Sequence, residues 1–447
     1  MVLLFPISFS SHALTSKTSN AINGSAPYFS FDGGLTRIID SEGLFGISLS
    51  DGTQFTPLTN TSSTTSIELP IAGQSFADIN MLVPTGSSSI AFKELISPPY
   101  NYWGDDDGDG DISAHGYLML SIYDKNDKQV SRDTVLDICK APYRIKLSST
   151  GGQLATRYGV PNRRTFQKSY VEYFVKPKAS FSVVCFARPN LSGSTTFAGP
   201  DSIWDKNTLS GGFIPQSFVS SSYHLNFPTT GAHGLYFDLD VRGIQEVLSW
   251  ATVSHGGITA TMTNSSRKGV RVTLTGPAAS LSQHSSDNPG RISKPNLPQT
   301  FELVGRGNNG NVVVKYGFVL KQWFVNRGDV FATYPNTLSW CNNIGYDMPK
   351  VKDLTNASCQ GSSSGTACQG SVGATPSSSN NSYQRQIGAG FFTEWGYMDK
   401  YLNVGFINYW YWTGDLNGSY PFIVSSDFGS VSSNNDKRRY GLCSSKP

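Results

Sequence analysis

NTLSWCNNIGYDMPKVKDLTNASC (336–359) and YWYWTGDLNGSYPFIVSSDFGSVSS (409–433) carry two different periodicities, and together they set the fold of the last quarter of the chain. In the first, Leu338, Cys341 and Ile344 fall on one helical face. An Asn or Thr stands at its start and Gly345 at its end, which predicts a helix over 336–345. Pro349 then opens a second helical stretch over 349–358, with Val351 and Leu354 on one face. In the second, side chains of Tyr409, Trp410, Tyr411 and Trp412 alternate between the two faces of a strand. Asp427-Phe428-Gly429 separates two extended segments, FIVSS (422–426) and SVSS (430–433), which predicts a hairpin. RRYGLCSS (438–445) reads as a last strand carrying Cys443. Two short helices followed by aromatic hairpins make 331–447 an α+β domain.

Upstream the pattern is β throughout. LTRII (35–39), LFGISLS (44–50), SIELPI (66–71), ADINMLVP (77–84) and SIAFKELI (89–96) are short alternating segments, read as a small N-terminal β-domain over 14–97. Pro98-Pro99 is a boundary, since neither residue can donate to a ladder. HGYLMLSIYDKNDKQVS (115–131), YRIKLSST (143–150), KSYVEYFVKP (168–177) and FSVVCFARP (181–189) follow at the strand spacing of an immunoglobulin-like sandwich, placed at 98–190. GLYFDLDVRG (234–243), GVRVTLTGP (269–277), QTFELVGRG (299–307) and NVVVKYGFVLKQWFV (311–325) belong to a second β-sandwich-like domain, 191–330, with a polar loop at 278–298. The expected class is therefore mainly β and multi-domain. Ig-like modules precede a compact C-terminal domain, and removing 331–447 is expected to leave the modules folded.

Composition narrows the function classes. The 447 residues hold 35 Lys+Arg against 32 Asp+Glu, a net charge of +3 that gives nucleic acid no electrostatic footprint. Charged residues make up 15%, well under the usual ~25%, and Gly, Ser, Thr and Asn replace them, as in extracellular β-proteins. No apolar run approaches the ~20 residues of a membrane-spanning helix. VLLFPIS (2–8) followed by Ser11-His12-Ala13 reads as a signal peptide over 1–13, although no Lys or Arg precedes it. Six cysteines suit an oxidising compartment. None forms C-x-x-C, and they allow 15 pairings among which sequence cannot choose. Locality suggests Cys139–Cys185 within one domain and Cys359–Cys368 as a short clamp, leaving Cys341–Cys443 to tie the last domain's start to its end.

Chemical signals are few. Asp105, Asp107, Asp109 and Asp111 alternate with Gly108 and Gly110, a spacing that lets oxygens converge on a structural Ca2+. Gly116 stands where an EF-hand needs Glu, so an EF-hand is excluded and an interdomain stiffener or a solvated acidic turn is expected. The six histidines make no ligand pair. Gly361-Ser362-Ser363-Ser364-Gly365 matches G-x-S-x-G but sits in a Ser-rich loop, not between strand and helix. No catalytic residue and no required cofactor is expected. Ten of the 22 residues from Phe391 to Trp412 are aromatic. Tyr and Trp dominate binding hot spots because they offer rigid contact area at low entropic cost. Trp395, Tyr397, Tyr401, Tyr409, Trp410 and Trp412 are therefore candidate binding residues, with Asp415, Asn417, Tyr420 and Phe428 on the surrounding loops. Half or more of the rings are expected to fill the core. Lys437-Arg438-Arg439 is a basic cluster at a strand edge.

TLSWCNNIGYDMPKVKDLTNASC (337–359), GAGFFTEWG (388–396) and the YWYWTGDLNGSYPFIVSSDFGSV (409–431) to YGLC (440–443) ending resemble the C-terminal adhesion domain of bacterial adhesins related to the intimin–invasin group. APYRIKLSS (141–149), YGVPNRRTF (158–166), LNFPTTGAHGLYFDLD (225–240), VSHGGITATMT (253–263) and VKYGFVLKQWFVNRGD (314–329) resemble the β-modules that accompany it. The resemblance implies Ig-like modules and a C-type-lectin-like tip, in which a first-helix cysteine bonds one in the last strand, matching Cys341 and Cys443. It also implies a secreted or surface-exposed, non-enzymatic bacterial adhesin that attaches to a protein or glycan on host cells. Two departures stand out. The large outer-membrane barrel of the group is not read here, and neither are the Glu-Pro-Asn and Trp-Asn-Asp calcium triplets of sugar-binding C-type lectins. A secreted carbohydrate-binding protein or glycan-active enzyme, and a structural subunit of a surface assembly, are the alternatives.

Overall fold

The computed structural model describes residues 24–106, 111–189, 197–206, 211–361, 363–433 and 437–446. The signal-peptide reading of 1–13 lies outside them. The chain divides into two compact units, Met1–Lys178 and Ala179–Pro447, both mainly β. Among the described residues no helix is long and apolar enough to cross a membrane.

The first unit is built on one six-stranded sheet. Its order is Ile67–Glu68, Ser169–Lys176, Tyr143–Ala155, Ser113–Tyr123 and Ser89–Ala91, with Arg163–Phe166 also paired to Tyr143–Ala155. Alternation sends Leu118, Leu120 and Ile122, Tyr143, Ile145 and Leu147, and Val171, Tyr173 and Val175 into the core. The other side of that core comes from the irregular 28–96 segment: Phe29, Leu44, Phe76 and Ile79 belong to the same apolar cluster. Phe29 packs on Phe92 and Phe166 with ring centroids 5.2 Å away in each case, and the Tyr173 hydroxyl donates to the Phe45 carbonyl at 2.8 Å. The boundary expected at 97/98 thus falls inside one core. Strand spacing identifies strands, but it does not say which of them share a buried face.

In the second unit a seven-stranded sheet, centred on Val183–Pro189, Tyr236–Arg242 and Gly269–Thr275, is joined in one core by a three-stranded sheet of Ser249–Trp250, Gln299–Arg306 and Val312–Leu320. Phe237 from the first and Phe301 and Phe318 from the second meet there, Phe301 and Phe318 stacking at 5.2 Å. The C-terminal part follows the sequence pattern closely. The helix Tyr334–Ile344 buries Thr337, Trp340, Cys341 and Ile344. It starts two residues before the expected 336 because Pro335 is accepted in its first turn, and it ends at Gly345 with a left-handed φ of 84°. The second helix is shorter than expected, Val351–Leu354. Tyr420–Ser425 pairs antiparallel with Val431–Ser433 and with Trp410–Asn417.

No core boundary exists at 330/331, and the division expected at 190/191 lies at 178/179 instead. One apolar cluster runs from Val184 to Cys443. A three-stranded sheet of Thr230–Ala232, Gln322–Asn326 and Leu442–Ser445 joins the β-sandwich to the chain's end. The 278–298 segment contains the short helix Leu281–Ser285 and is anchored to the C-terminal part, since Trp340 Nε1 donates to the Gln283 carbonyl at 2.9 Å and the Tyr346 hydroxyl to that of Ser293 at 2.8 Å. Cys341 and Cys443 form a fully buried disulfide that closes 102 residues, and Cys359 and Cys368 one that closes 9. Cys139 belongs to the first unit and Cys185 to the second, so the expectation that they lie within one domain is not met.

Burial makes a pH prediction. The phenols of Tyr143, Tyr346 and Tyr383 are each pushed up to about 12, chiefly because an ionised ring oxygen would lose its water. A folded pKa above the ordinary 10 favours the neutral form in the folded chain. The resulting stability is fully present below pH 10 and is lost as pH rises through 12. A phenolate-absorbance titration is expected to show a late-ionising class whose appearance coincides with unfolding. Ionisation of every tyrosine near pH 10 in a folded chain would refute this.

Candidate binding surface

The aromatic segment divides sharply into core and surface. Trp395, Tyr401 and Trp412 are not available to a ligand. Trp395 Nε1 donates to the Thr230 carbonyl at 3.1 Å, the Tyr401 hydroxyl to the Trp395 carbonyl at 3.0 Å, and Trp412 Nε1 to the Ala332 carbonyl at 3.0 Å. Alternation does not separate inside from outside on this strand because both faces are covered. Tyr411 enters the main core, while Trp412 packs on the other side with Met348 and Ile423. Trp410 is half-buried against that second cluster.

Two loop candidates, Asp415 and Asn417, make hydrogen bonds within the fold. The Asp415 carboxylate accepts from the Val351 N–H at 2.8 Å, fixing the start of the helix Val351–Leu354. Asn417 donates weakly to the Thr366 carbonyl at 3.4 Å, and Tyr420 stands half-exposed at the tip of the hairpin. Phe428 is 42% exposed and leans on Phe197 and Tyr397, with centroids at 5.6 and 5.9 Å. Tyr397 is half-buried in that contact.

Tyr409 is the candidate that the fold turns into a surface. It lies with Phe331 and Tyr440 in a cluster of three rings, their centroids 5.7, 5.3 and 6.0 Å apart. Phe331 and Tyr409 are 41% and 42% exposed, values incompatible with a core role. The cluster exists because Ala332 and Arg439 exchange both backbone hydrogen bonds, at 3.0 and 2.8 Å, which brings the segment before the first helix beside the last strand. The Arg439 guanidinium lies 5.7 Å from the Tyr409 ring centre and 6.0 Å from that of Trp412, and burial lowers its pKa. Lys437 and Arg438 stand exposed beside it. The Tyr440 hydroxyl donates to Asp329 at 3.2 Å. Phe331 and Tyr440 were missed in the sequence because they are 109 positions apart and neither lies in the aromatic run; the only hint was the basic cluster 437–439. The arrangement sets exposed aromatic area, Phe331 and Tyr409, near the exposed cations Lys437 and Arg438, a combination suited to contact with another molecule.

The acidic run gives less. Asp107 and Asp109 lie outside the described residues. Asp106 is taken by a two-pronged pair with Arg37 at 2.8 and 2.9 Å, and Asp111 accepts from the Arg157 N–H at 3.3 Å. Among the described residues no three His, Cys, Asp or Glu side chains are grouped to hold a metal ion.

No protein-family model matches the chain. Among curated proteins it is 25% identical over 149 residues to the inverse autotransporter adhesin YeeJ of Escherichia coli (strain K12). The chain is similar to a bacterial adhesin. The match spans 33% of this chain and only 5% of that adhesin's length. Among solved structures it is similar to invasin, a bacterial integrin-binding protein, at 10% identity and a TM-score of 0.37, over 75% of this chain and 51% of that one. It is also similar to a C-terminal 282-residue fragment of intimin, solved with the intimin-binding domain of the translocated intimin receptor, at 10% identity and a TM-score of 0.34, over 74% and 93% of the two chains. The intimin–invasin resemblance carried by the motifs of 337–443 and this adhesin relative agree on the kind of protein that this chain is like.

Proposed function

We propose that this chain is the receptor-binding part of a surface-exposed bacterial adhesin, and that the Phe331–Tyr409–Tyr440 surface holds a protein on the host cell. The observation that carries the reading is that Phe331 and Tyr409 stand exposed side by side, packed on half-buried Tyr440, since aromatic residues dominate protein–protein hot spots. The rings meet edge to face, at 71° between Phe331 and Tyr409 and 84° between Tyr409 and Tyr440, rather than forming one flat platform for a sugar ring to stack on, which favours a protein over a sugar. The buried disulfide Cys341–Cys443 holds the helix and the last strand on which the surface is built.

The test uses the full chain. It is expected to bind host epithelial cells saturably, and to do so equally after glycosidase treatment. The double variant Phe331→Ala/Tyr409→Ala is expected to stay folded, because both rings are exposed, and to lose binding by about 30-fold or more. Unchanged binding by that variant would overturn the assignment of the surface. Loss of binding after glycosidase would replace the protein receptor with a glycan.

A further inference from the structure

Three asparagines of the chain precede a glycine, at Asn23, Asn309 and Asn417. In such a pair the side-chain amide is open to attack by the next backbone nitrogen, because Gly has no Cβ to block the approach. Asn23 lies outside the described residues, and the structure treats the other two differently. The turn holding Asn309-Gly310 is pinned. The Gly310 N–H donates to the Gly307 carbonyl at 2.9 Å, and its carbonyl accepts from Arg306 Nη1 at 3.0 Å. The Asn308 N–H is held by Glu246 Oε1 at 3.2 Å and the Gly307 N–H by the Asn311 carbonyl at 3.0 Å. Asn417-Gly418 has no such ties. Gly418, at φ 61°, opens the two-residue turn between the paired Asn417 and Tyr420. It is exposed, and its N–H has no acceptor among the described residues. Behind the tip the ladder is broken by a register shift between Trp412 and Leu416, and Leu416 faces Pro421, which has no N–H to give. The Asn417 side chain is held by two long contacts, from Nδ2 to the Thr366 carbonyl and to Ser433 Oγ, both at 3.4 Å.

We propose that Asn417 is a self-modification site, at which the folded chain converts asparagine to aspartate and isoaspartate. The Gly418 nitrogen gives up its proton and attacks Asn417 Cγ. The N–Cγ bond forms, the Cγ–Nδ2 bond breaks, and Nδ2 takes up a proton and leaves as ammonia. Water then opens the five-membered imide at one of its two carbonyls. Opening at Cγ gives aspartate, and opening at the main-chain carbon gives isoaspartate. Water is the one co-reactant, and nothing is oxidised or reduced. Either product adds a negative charge at the hairpin tip. A carboxylate repels the Thr366 carbonyl to which Asn417 Nδ2 had donated. Isoaspartate also lengthens the main chain by one methylene within a two-residue turn. The tip, with the half-exposed Tyr420, therefore parts from the Thr366–Cys368 turn beside the Cys359–Cys368 disulfide.

The test incubates the full, folded chain at mildly alkaline pH and follows it by peptide mass mapping, with isoaspartate read by isoaspartyl methyltransferase labelling. The peptide holding Asn417 is expected to gain the mass of an amide-to-acid exchange with first-order kinetics. The peptide holding Asn309 should lag by about tenfold or more, the rate equivalent of the hydrogen bonds that its turn must release. In urea those bonds are gone, and the two pairs should react at similar rates, which shows that the fold and not the dipeptide sets the order. Asn417→Gln should silence the site in the folded chain and leave the rate at Asn309 unchanged. Equal rates at the two asparagines in the folded chain, faster reaction at Asn309, or an Asn417 that stays intact would overturn the inference.

Discussion

A chain shortened at residue 330 is expected to lose the fold of everything after residue 178, not to retain a folded second module. The strand Gln322–Asn326 would lose its antiparallel partner Leu442–Ser445, along the whole register from Trp323–Ser445 to Asn326–Leu442. Phe324 would lose Phe391, on which it stacks at 4.3 Å, and Phe227 and Phe237 would lose Trp395 at 5.1 and 6.3 Å. Exposing a buried ring costs up to about 1.5–3 kcal/mol. Several at once rival a domain's whole stability of about 5–15 kcal/mol. The carbonyls of Gln283 and Ser293 would also lose the donors that hold 278–298 in place. Met1–Lys178 has its own core and should be untouched. Limited proteolysis of the shortened chain should leave one resistant fragment ending near 178. A second resistant fragment spanning 179–330 would show that the sandwich stands alone.

The same long-range contacts mark what could be read from sequence and what could not. Period-two alternation at Leu118, Leu120 and Ile122 and helical spacing at Cys341 and Ile344 are local and place buried faces, whereas Leu338, expected on the same helix face, is half-buried against the Met348–Trp412–Ile423 cluster. Local pattern carries no information about which faces meet. Phe29 and Phe166 share a core across the Pro98-Pro99 boundary, and Phe331 meets Tyr440 across the whole C-terminal part. Aromatic richness marked a region whose rings the structure divides, with Tyr409 and Phe428 exposed and Trp395, Tyr401 and Trp412 buried. Trp395, Tyr401 and Trp412 were drawn into the core through hydrogen bonds from their polar ends, which satisfy groups that would otherwise favour solvent.

Replacing Glu394 is expected to be the most damaging single substitution in this part of the chain, and nothing local in GAGFFTEWG announces it. The side chain is fully buried, and burial pushes its carboxyl above the usual carboxylate range. Five groups donate to it: the N–H and hydroxyl of Thr229 at 3.1 and 2.9 Å, those of Thr230 at 2.9 and 2.6 Å, and the N–H of Gly388 at 2.9 Å. One side chain thus ties the helix Phe391–Trp395 to the start of the strand Thr230–Ala232 and to the loop before the helix. That helix has no freedom to shift in compensation. Gly390 precedes it at φ 108°, and a Cβ there would sit 2.6 Å from the Thr355 nitrogen. Arg385, equally buried, donates to the carbonyls of Thr393 and Glu394 at 2.9 and 3.2 Å, so a second charged group relies on the same backbone. Glu394→Leu would leave three backbone N–H groups and two hydroxyls without their acceptor. Each buried donor left unsatisfied costs about 1–3 kcal/mol, so the loss of several together should cost about 3 kcal/mol or more. Glu394→Gln keeps the shape but turns an NH2 toward N–H donors, and should cost about 1–3 kcal/mol. Denaturant unfolding followed by tryptophan fluorescence reads both, since Trp395 is adjacent. A Leu variant within about 0.5 kcal/mol of the parent, the usual range of surface substitutions, would mean that the five donors find other acceptors and that Glu394 holds nothing together.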